Sequence, residues 1–463
     1  MMFGTLITIA GIVAKRDRSK DAWEGIKNLL PYWSIAEDKE GKKMMEILKF
    51  SYDDLPNKMK PCFLYLGVFP EDEKIQVRDL IRLWIAEGFI GPIQTRRSKE
   101  APPEPEDIGE QYLREMVDRN LVQVARRSSD RKGVKTCKIH DLFRELCISE
   151  SNNPDNNTNN ARRLLSFPST VGSYTCSLET CNKESTHSLF FYEDARGWSQ
   201  HIPENLRVNV LSFSKWARVS SSTSAEYLKS LTPLRYLKME VKLDGLCDFH
   251  SLETLHVLYT SLKDLRIGGL KQLRHLHCEF LVRLLVDEQE VQDKMQNLQT
   301  LCYVYADSKL GRLLGDDYFP NLRTLGLHIA LDQHEPAEEI LRSLHRLKKL
   351  IKLKLMFSVV NWVPLDTIAF PSTLTKITLS RFAYFKSKDM NTLGRVPRLQ
   401  VLKFKIGYCT EQTLDCGTAG SFPELQVLIM IRVDVRYLIS KDGAMPRLRR
   451  AVFCDCPHLK GGY

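Results

Sequence analysis

No apolar stretch in this 463-residue chain is long enough to cross a bilayer. The nearest candidate, LITIAGIVA within residues 1–18, falls short of the roughly 20 residues a spanning helix needs. Its charges follow the apolar run, whereas a secretory signal carries them in front, so a buried helix is expected there. The phosphate-loop pattern G-x-x-x-x-G-K-[S/T] is missing, as is an acidic strand end suited to Mg²⁺, which excludes self-contained nucleotide hydrolysis by the residues present. The twelve cysteines run from Cys62 to Cys456 without paired spacing and several fall at apolar positions, which predicts reduced thiols and a cytoplasmic protein. No nucleophile stands with a base and an orienting partner, so an enzyme is not expected. A net charge of +10 with interspersed signs permits anionic partners without demanding them.

What is present begins with helical periodicity. Trp23, Ile26, Leu29 and Leu30 mark a packing helix over 21–36, stopped by Pro31. A second segment runs from Met44 to Phe50 and closes at Pro56. Val77, Leu80, Ile81, Trp84 and Ile85 form one stripe that ends at Gly88, and Ile108, Tyr112, Met116 and Leu121 mark the buried side of a further helix. Residues 121–139 read as two strands around the basic turn ARRSSDRKGVK. Helices followed by a hairpin make a winged-helix arrangement, assigned to 38–150. The polar run ESNNPDNNTNN supplies a linker over 151–160.

Beyond the linker the signal is repetition. The frame L-x-x-L-x-L, with apolar substitutes, starts at Leu234, Leu252, Leu273, Leu298, Leu322, Leu350, Leu374, Leu399, Leu425 and Leu448. Less regular copies lie at Leu189 and around Val208, Leu211 and Phe213. One short strand per repeat cannot bury its own apolar face, and stacking supplies the core. The fold class is therefore α/β: a leucine-rich-repeat solenoid with a parallel-sheet horseshoe over 161–463, preceded by a helical winged-helix domain. Proline in FPNL, FPSTL, VPRL, FPEL and MPRL belongs at strand entry, where fixed φ is useful and no ladder donor is needed.

Four places invite a chemical reading. KIHDLFREL sets His140 and Asp141 at the start of a helix, where free N–H groups and the helix dipole suit an anion; plain capping by Asp141 beside a solvated imidazole is the alternative. CDCPHLK brings Cys454, Cys456 and His458 together but lacks a fourth metal ligand, so structural thiols are expected and no metal. The basic turn sits where winged-helix factors touch DNA phosphate, yet the helix with Leu80, Leu83, Trp84 and Ile85 lacks a polar base-reading face. On the solenoid, Lys352, Lys354, Lys376, Lys403 and Lys405 fall in register beside Val427, Ile429 and Ile431, which reads either as a surface for an acidic partner with an apolar anchor or as a solvated lysine face beside covered residues.

The segment LKFSYDDLPNKMKPCFLYLGVFPEDEKIQVRDLIRLWIAEGFI, then KIHDLFREL, then the irregular repeats resemble plant intracellular disease-resistance proteins of the coiled-coil, nucleotide-binding (NB-ARC), leucine-rich-repeat class. The resemblance covers nearly the whole chain. It implies that residues 1–37 are a remnant of the helical part of the NB-ARC module, with LITIAGIVA matching the latter part of the GLPLA helix and Phe3 and Gly4 standing where the motif has Pro and Leu. Ile139-His140-Asp141 matches the Met-His-Asp motif, whose His reaches the phosphates of bound ADP and helps hold the receptor off. ADP or ATP is the cofactor of the full-length family; this chain alone is expected to bind neither tightly. The implied partners are a pathogen effector or guarded host protein through the repeats, and an intact receptor or nucleotide-binding domain in trans. The remaining readings are a truncated decoy and a winged-helix nucleic-acid binder on a repeat scaffold.

Overall fold

The computed structural model describes residues 48–91, 102–151, 163–167, 186–192, 206–215, 217, 228, 231, 233–239, 249–258, 264–287, 289, 292–329, 337–358 and 364–460. The helices expected within 1–18 and 21–36, and all but the first residue of the polar linker, lie outside these residues. The chain divides into two compact units, Met1–Arg218 and Val219–Tyr463.

In the first unit a helical turn at 48–53 leads to α1 (Lys60–Leu64), a 3₁₀ turn (Tyr65–Val68), β1 (Ile75–Gln76) and α2 (Val77–Ala86). The apolar stripe of α2 is buried as its spacing predicts. Gly88, at φ +78°, ends that helix: the Phe89 N–H reaches the Trp84 carbonyl at 3.0 Å and the Gly88 N–H reaches that of Ile85 at 2.9 Å. Next comes α3 (Pro105–Asp118), whose buried side is Ile108, Gly109, Leu113 and Met116. Tyr112 is only half-buried, a correction to the predicted stripe. The helix is seated at Gly109, where a Cβ would stand 2.5 Å from Cγ2 of Ile81; this close approach turns Leu113 inward in place of Tyr112.

The wing follows as β2 (Gln123–Arg127) and β3 (Val134–Lys138), with β3 antiparallel to both β1 and β2. Its turn is held by Ser128, whose Oγ accepts from the Gly133 N–H at 3.0 Å, with Arg131 at φ +58°. Helix α4 (Asp141–Ser151) completes the winged helix. Three parallel strands, β4 (Arg163–Phe167), β5 (Thr186–Phe191) and β6 (Val210–Phe213), belong to the same unit. Leu189, Val208, Leu211 and Phe213 are buried there, as the irregular repeat copies predict.

The second unit is a parallel ladder. It begins with β7 (Tyr236–Met239), β8 (Thr254–Val257), the short β9 (Asp264–Arg266) and β10 (His275–Leu285). It continues through β11 (Thr300–Tyr305), β12 (Thr324–Ile329), β13 (Lys352–Phe357), β14 (Lys376–Phe385) and β15 (Val401–Cys409). After β16 (Thr413–Asp415) come β17 (Val427–Asp434), β18 (Tyr437–Ile439) and β19 (Arg450–Cys454). The main sheet of this unit runs in sequence order from β7 to β19, with β9 beside the far end of β10 and β16 paired to β18. Short helices α5 (Ser308–Gly315), α6 (Ala337–Arg342) and α7 (Ser387–Gly394) lie in the connections.

Each rung is entered through the same device. The Leu322 N–H donates to the Phe319 carbonyl, Leu399 to Val396 and Leu425 to Phe422, which puts Pro320, Pro397 and Pro423 at the second residue of a tight turn, where fixed φ fits. Two successive N–H groups then share one carbonyl of the preceding rung, as Ile351 and Lys352 do at Arg323 and Gln400 and Val401 do at Thr375. The frame leucines from Leu234 to Leu425 are buried. Leu448 departs from the pattern at 37% exposed, because among the described residues β19 is flanked by β17 alone.

One regularity breaks the alternation of the strands. Ser380, Lys405, Ile431 and Cys454 are register partners, and the residue after each, Arg381, Ile406, Arg432 and Asp455, has a left-handed backbone with φ of +55°, +52°, +54° and +52°. The next residue turns inward again: Phe382, Gly407 and Val433 are buried, and the Phe382 ring fills the space a Cβ on Gly407 would need. Between Phe382 and Phe385 the register with β15 slips by one, so Ala383 and Tyr384 oppose Tyr408 alone.

Candidate functional site

His140 occupies the N-cap of α4. Its carbonyl accepts from the Arg144 N–H at 3.0 Å, and its Nδ1 accepts from the Leu142 N–H at 3.4 Å. The cap is thus the imidazole, and Asp141, exposed at the first helical position, does not supply it. An accepting Nδ1 leaves the proton of the neutral ring on Nε2. One N–H donor is therefore offered beside the positive end of an 11-residue helix. Ile139 is buried and anchors the turn.

The helix that carries this donor is held at several points. Phe143 meets Phe63 edge-on at 6.0 Å, and the Cys147 thiol donates to the Phe63 carbonyl at 3.3 Å. Burial pushes that thiol above its ordinary pKa and keeps it a donor. Gly67 of the 3₁₀ turn lies so close that a Cβ on it would stand 2.9 Å from Cβ of Cys147. Arg144 Nε donates to the Phe69 carbonyl at 2.8 Å.

The other side of the same turn is gripped by β5. Phe190 packs between Tyr65 at 6.1 Å and Phe69 at 6.2 Å. Ser188 Oγ donates to the buried carboxylate of Glu87, so the Tyr65 hydroxyl, 3.2 Å away, is the donor to Ser188. The Tyr192 hydroxyl donates to the Val68 carbonyl at 3.2 Å; burial first, then the Glu73 carboxylate, push this phenol above its ordinary pKa. Sequence reading missed this set, because Glu87 and Ser188 are 101 residues apart and neither sits in a motif.

On the repeat ladder, register aligns Lys352 with Lys376, then Val401, Val427 and Arg450. The neighbouring row runs Lys354, Thr378, Lys403, Ile429, Val452. The basic positions therefore do adjoin the apolar ones, with Lys405 aligned to Ile431. Exposure is a correction: Val427 and Ile429 are 5% and 6% exposed, clustered with Val401 and covered by Ile431 and Val452. β-Branched side chains on rungs about 4.8 Å apart cover one another, so this row is a satellite core instead of an open anchor. Lys354 is engaged too, its Nζ 5.7 Å from the Tyr303 ring, with Gly326 between the two strands leaving the path clear. That ring continues a stack through His277 to His256.

Cys456 donates to the carbonyls of Cys454 and Met430, and His458 Nδ1 lies 2.8 Å from Asp434. Among the described residues no group of three His, Cys, Asp or Glu converges on a metal position. In the wing, Arg126, Arg127, Arg131 and Lys132 are exposed, while the α2 residues Leu80, Leu83, Trp84 and Ile85 are buried and read no base. No helix among the described residues is long and apolar enough to cross a membrane.

The family description "Disease resistance protein Winged helix domain" matches residues 68–147. A ToMV resistance protein of Solanum lycopersicum is 28% identical over 96% of this chain and 56% of its own length. A late blight resistance protein of Solanum demissum is 27% identical over 98% of this chain and 36% of its own. The chain thus spans between about a third and just over half of these relatives. Among solved structures, a leucine-rich-repeat protein of Leptospira interrogans aligns at a TM-score of 0.31 and 13% identity, covering 58% of this chain and 78% of that one. The functional domain of InlJ from Listeria monocytogenes aligns at 0.27 and 16%, covering 48% and 51%. Residues 68–147 thus carry the winged helix domain of disease resistance proteins, and nearly the whole chain is similar in sequence to plant disease resistance proteins.

Proposed function

We propose that this chain is the regulatory and sensing portion of a plant immune receptor, in which the repeats receive a pathogen effector or a guarded host protein and the winged helix passes that contact to an ADP-held switch. The relatives are named as resistance proteins for ToMV and for late blight, and a comparable role in the cytoplasm is the reading for this chain. The observation that carries it is His140: a half-buried imidazole whose Nδ1 accepts at a helix N-terminus and so leaves Nε2–H as a donor, on a helix packed against the turn that β5 grips. An effect on the repeat strand thereby has a short physical route to the candidate phosphate donor.

The residues present do not fit ADP as a whole. One imidazole is a single donor, Asp141 beside it is anionic, and the Leu142 N–H is already used by His140. Nucleotide affinity thus belongs to the nucleotide-binding domain the resemblance implies, with His140 adding one contact. The proposal assigns no bond-making chemistry to the chain.

The test is to co-purify this chain with the nucleotide-binding segment of a similar Solanum resistance protein and assay retained ADP. The wild-type chain is expected to raise ADP retention, and His140→Ala to lose most of that gain. Equal retention with wild type and His140→Ala would refute the role of His140. A micromolar Kd for ADP on the isolated chain would refute the statement that it lacks a nucleotide site of its own.

A further inference from the structure

The left-handed row on β14, β15 and β17 is unfavourable twice over at Ile406. A β-branched residue at φ +52° is a backbone outlier, and this one is also an apolar side chain 44% exposed. Asn or Gly would suit such a position on both counts. Strained backbone that persists at an exposed apolar residue points to a contact made with something else.

Its surroundings fit that reading. Tyr384 and Tyr408, each 57% exposed, oppose one another across the bulge. Arg381 and Lys405 are exposed and form no ion pair among the described residues. Arg432 faces Asp455 at 3.6 Å with both side chains about two-thirds exposed, a pairing that water largely screens. Aromatic and Arg side chains around one aliphatic anchor are the composition of interface hot spots. Three cations against one carboxylate select a partner of opposite charge.

We propose that Arg381, Tyr384, Lys405, Ile406, Tyr408 and Arg432 form a docking surface for an acidic protein segment, one whose carboxylates flank an apolar side chain seated on Ile406 between the two tyrosines. This rests on the reading that the repeats receive a protein, and it moves the centre of recognition away from the covered Val427–Ile429 row. A single-stranded nucleic acid would meet the same cations and two tyrosine faces, and it is disfavoured by the aliphatic residue at the centre, which offers no face for a base to stack on.

The experiment uses the whole chain and a short fluorescent peptide with two glutamates on each side of a leucine, followed by anisotropy. The controls are the same peptide with serine for leucine, and oligothymidine. The acidic peptide is expected to bind, the serine version about tenfold more weakly. Ile406→Asn and the charge reversal Arg381→Glu are each expected to weaken binding about tenfold while cooperative unfolding is retained. Tyr408→Ser serves as an independent variant should either of these fail to fold. Absence of binding, indifference to Ile406→Asn and Tyr408→Ser, or tighter binding of oligothymidine would each overturn the proposal. Ile406→Asn is expected to leave ADP retention in the co-purified assembly unchanged, so failure here is separable from failure of the receptor reading.

Discussion

At the scale of single residues, the ladder depends on complementary pairs that no composition reveals. Gly407 is buried under the Phe382 ring, whose atoms would stand 2.1–2.4 Å from an added Cβ. Gly407→Ala should therefore destabilise the second unit by about 1–3 kcal/mol, as overpacking does, with part of the loss recovered by Phe382→Leu in the same chain. Chemical denaturation of the three proteins checks it; an unchanged midpoint for Gly407→Ala would contradict the packing described. A second residue gives the fold a pH dependence. Burial lowers the pKa of His328, and the Arg381 guanidinium acts in the same direction. Between its folded value and the ordinary 6.5, the unfolded chain binds more protons than the folded one, so stability is complete above 6.5 and falls as the pH drops through that window. His328→Gln should flatten that part of the stability profile; equal slopes for the two proteins would contradict it.

At the scale of elements, much was legible because it depends on period. The stripe of α2, the C-terminal stop at Gly88, the hairpin and the leucine frame all follow from spacing alone, and all are present. What spacing hides is contact at a distance. Tyr112 read as buried because Gly109 contributes nothing to an apolar count, although its missing side chain decides how α3 sits. The lysine and valine rows were legible as register, but exposure was not, since it depends on which side chains of the adjacent rungs cover each position. The left-handed row was invisible, because Arg381, Ile406 and Arg432 are not the residues that signal such a backbone. The grip of β5 on the winged helix belongs here too. Ser188→Ala removes the donor to a buried Glu87 carboxylate, a loss on the order of 1–3 kcal/mol, and Tyr192→Phe frees the Val68 carbonyl. In the double variant, amide exchange should quicken in the Tyr65–Val68 turn and in α4 while β13–β17 stay protected. Acceleration confined to β5 would mean that the turn does not link strand to helix.

At the scale of the whole molecule, stability of the ladder is a sum of neighbour terms, so a perturbation in one rung is expected to stay local unless an element outside the ladder carries it onward. The winged helix is that element in the first unit. Its basic wing invites comparison with DNA-binding relatives of the fold, but a buried α2 leaves only phosphate contacts. Gel shifts with duplex DNA should therefore show at most weak retardation that vanishes with added salt and ignores sequence; a salt-resistant, sequence-dependent shift would favour a nucleic-acid role. The central claim is that the state of β5 is felt at His140. It is tested most directly by the ADP retained on the co-purified nucleotide-binding segment with wild type, His140→Ala and the Ser188→Ala, Tyr192→Phe double variant. The account predicts that both altered chains retain markedly less ADP than wild type. It would be contradicted if the double variant, its strand loosened and its His140 intact, retained as much as wild type.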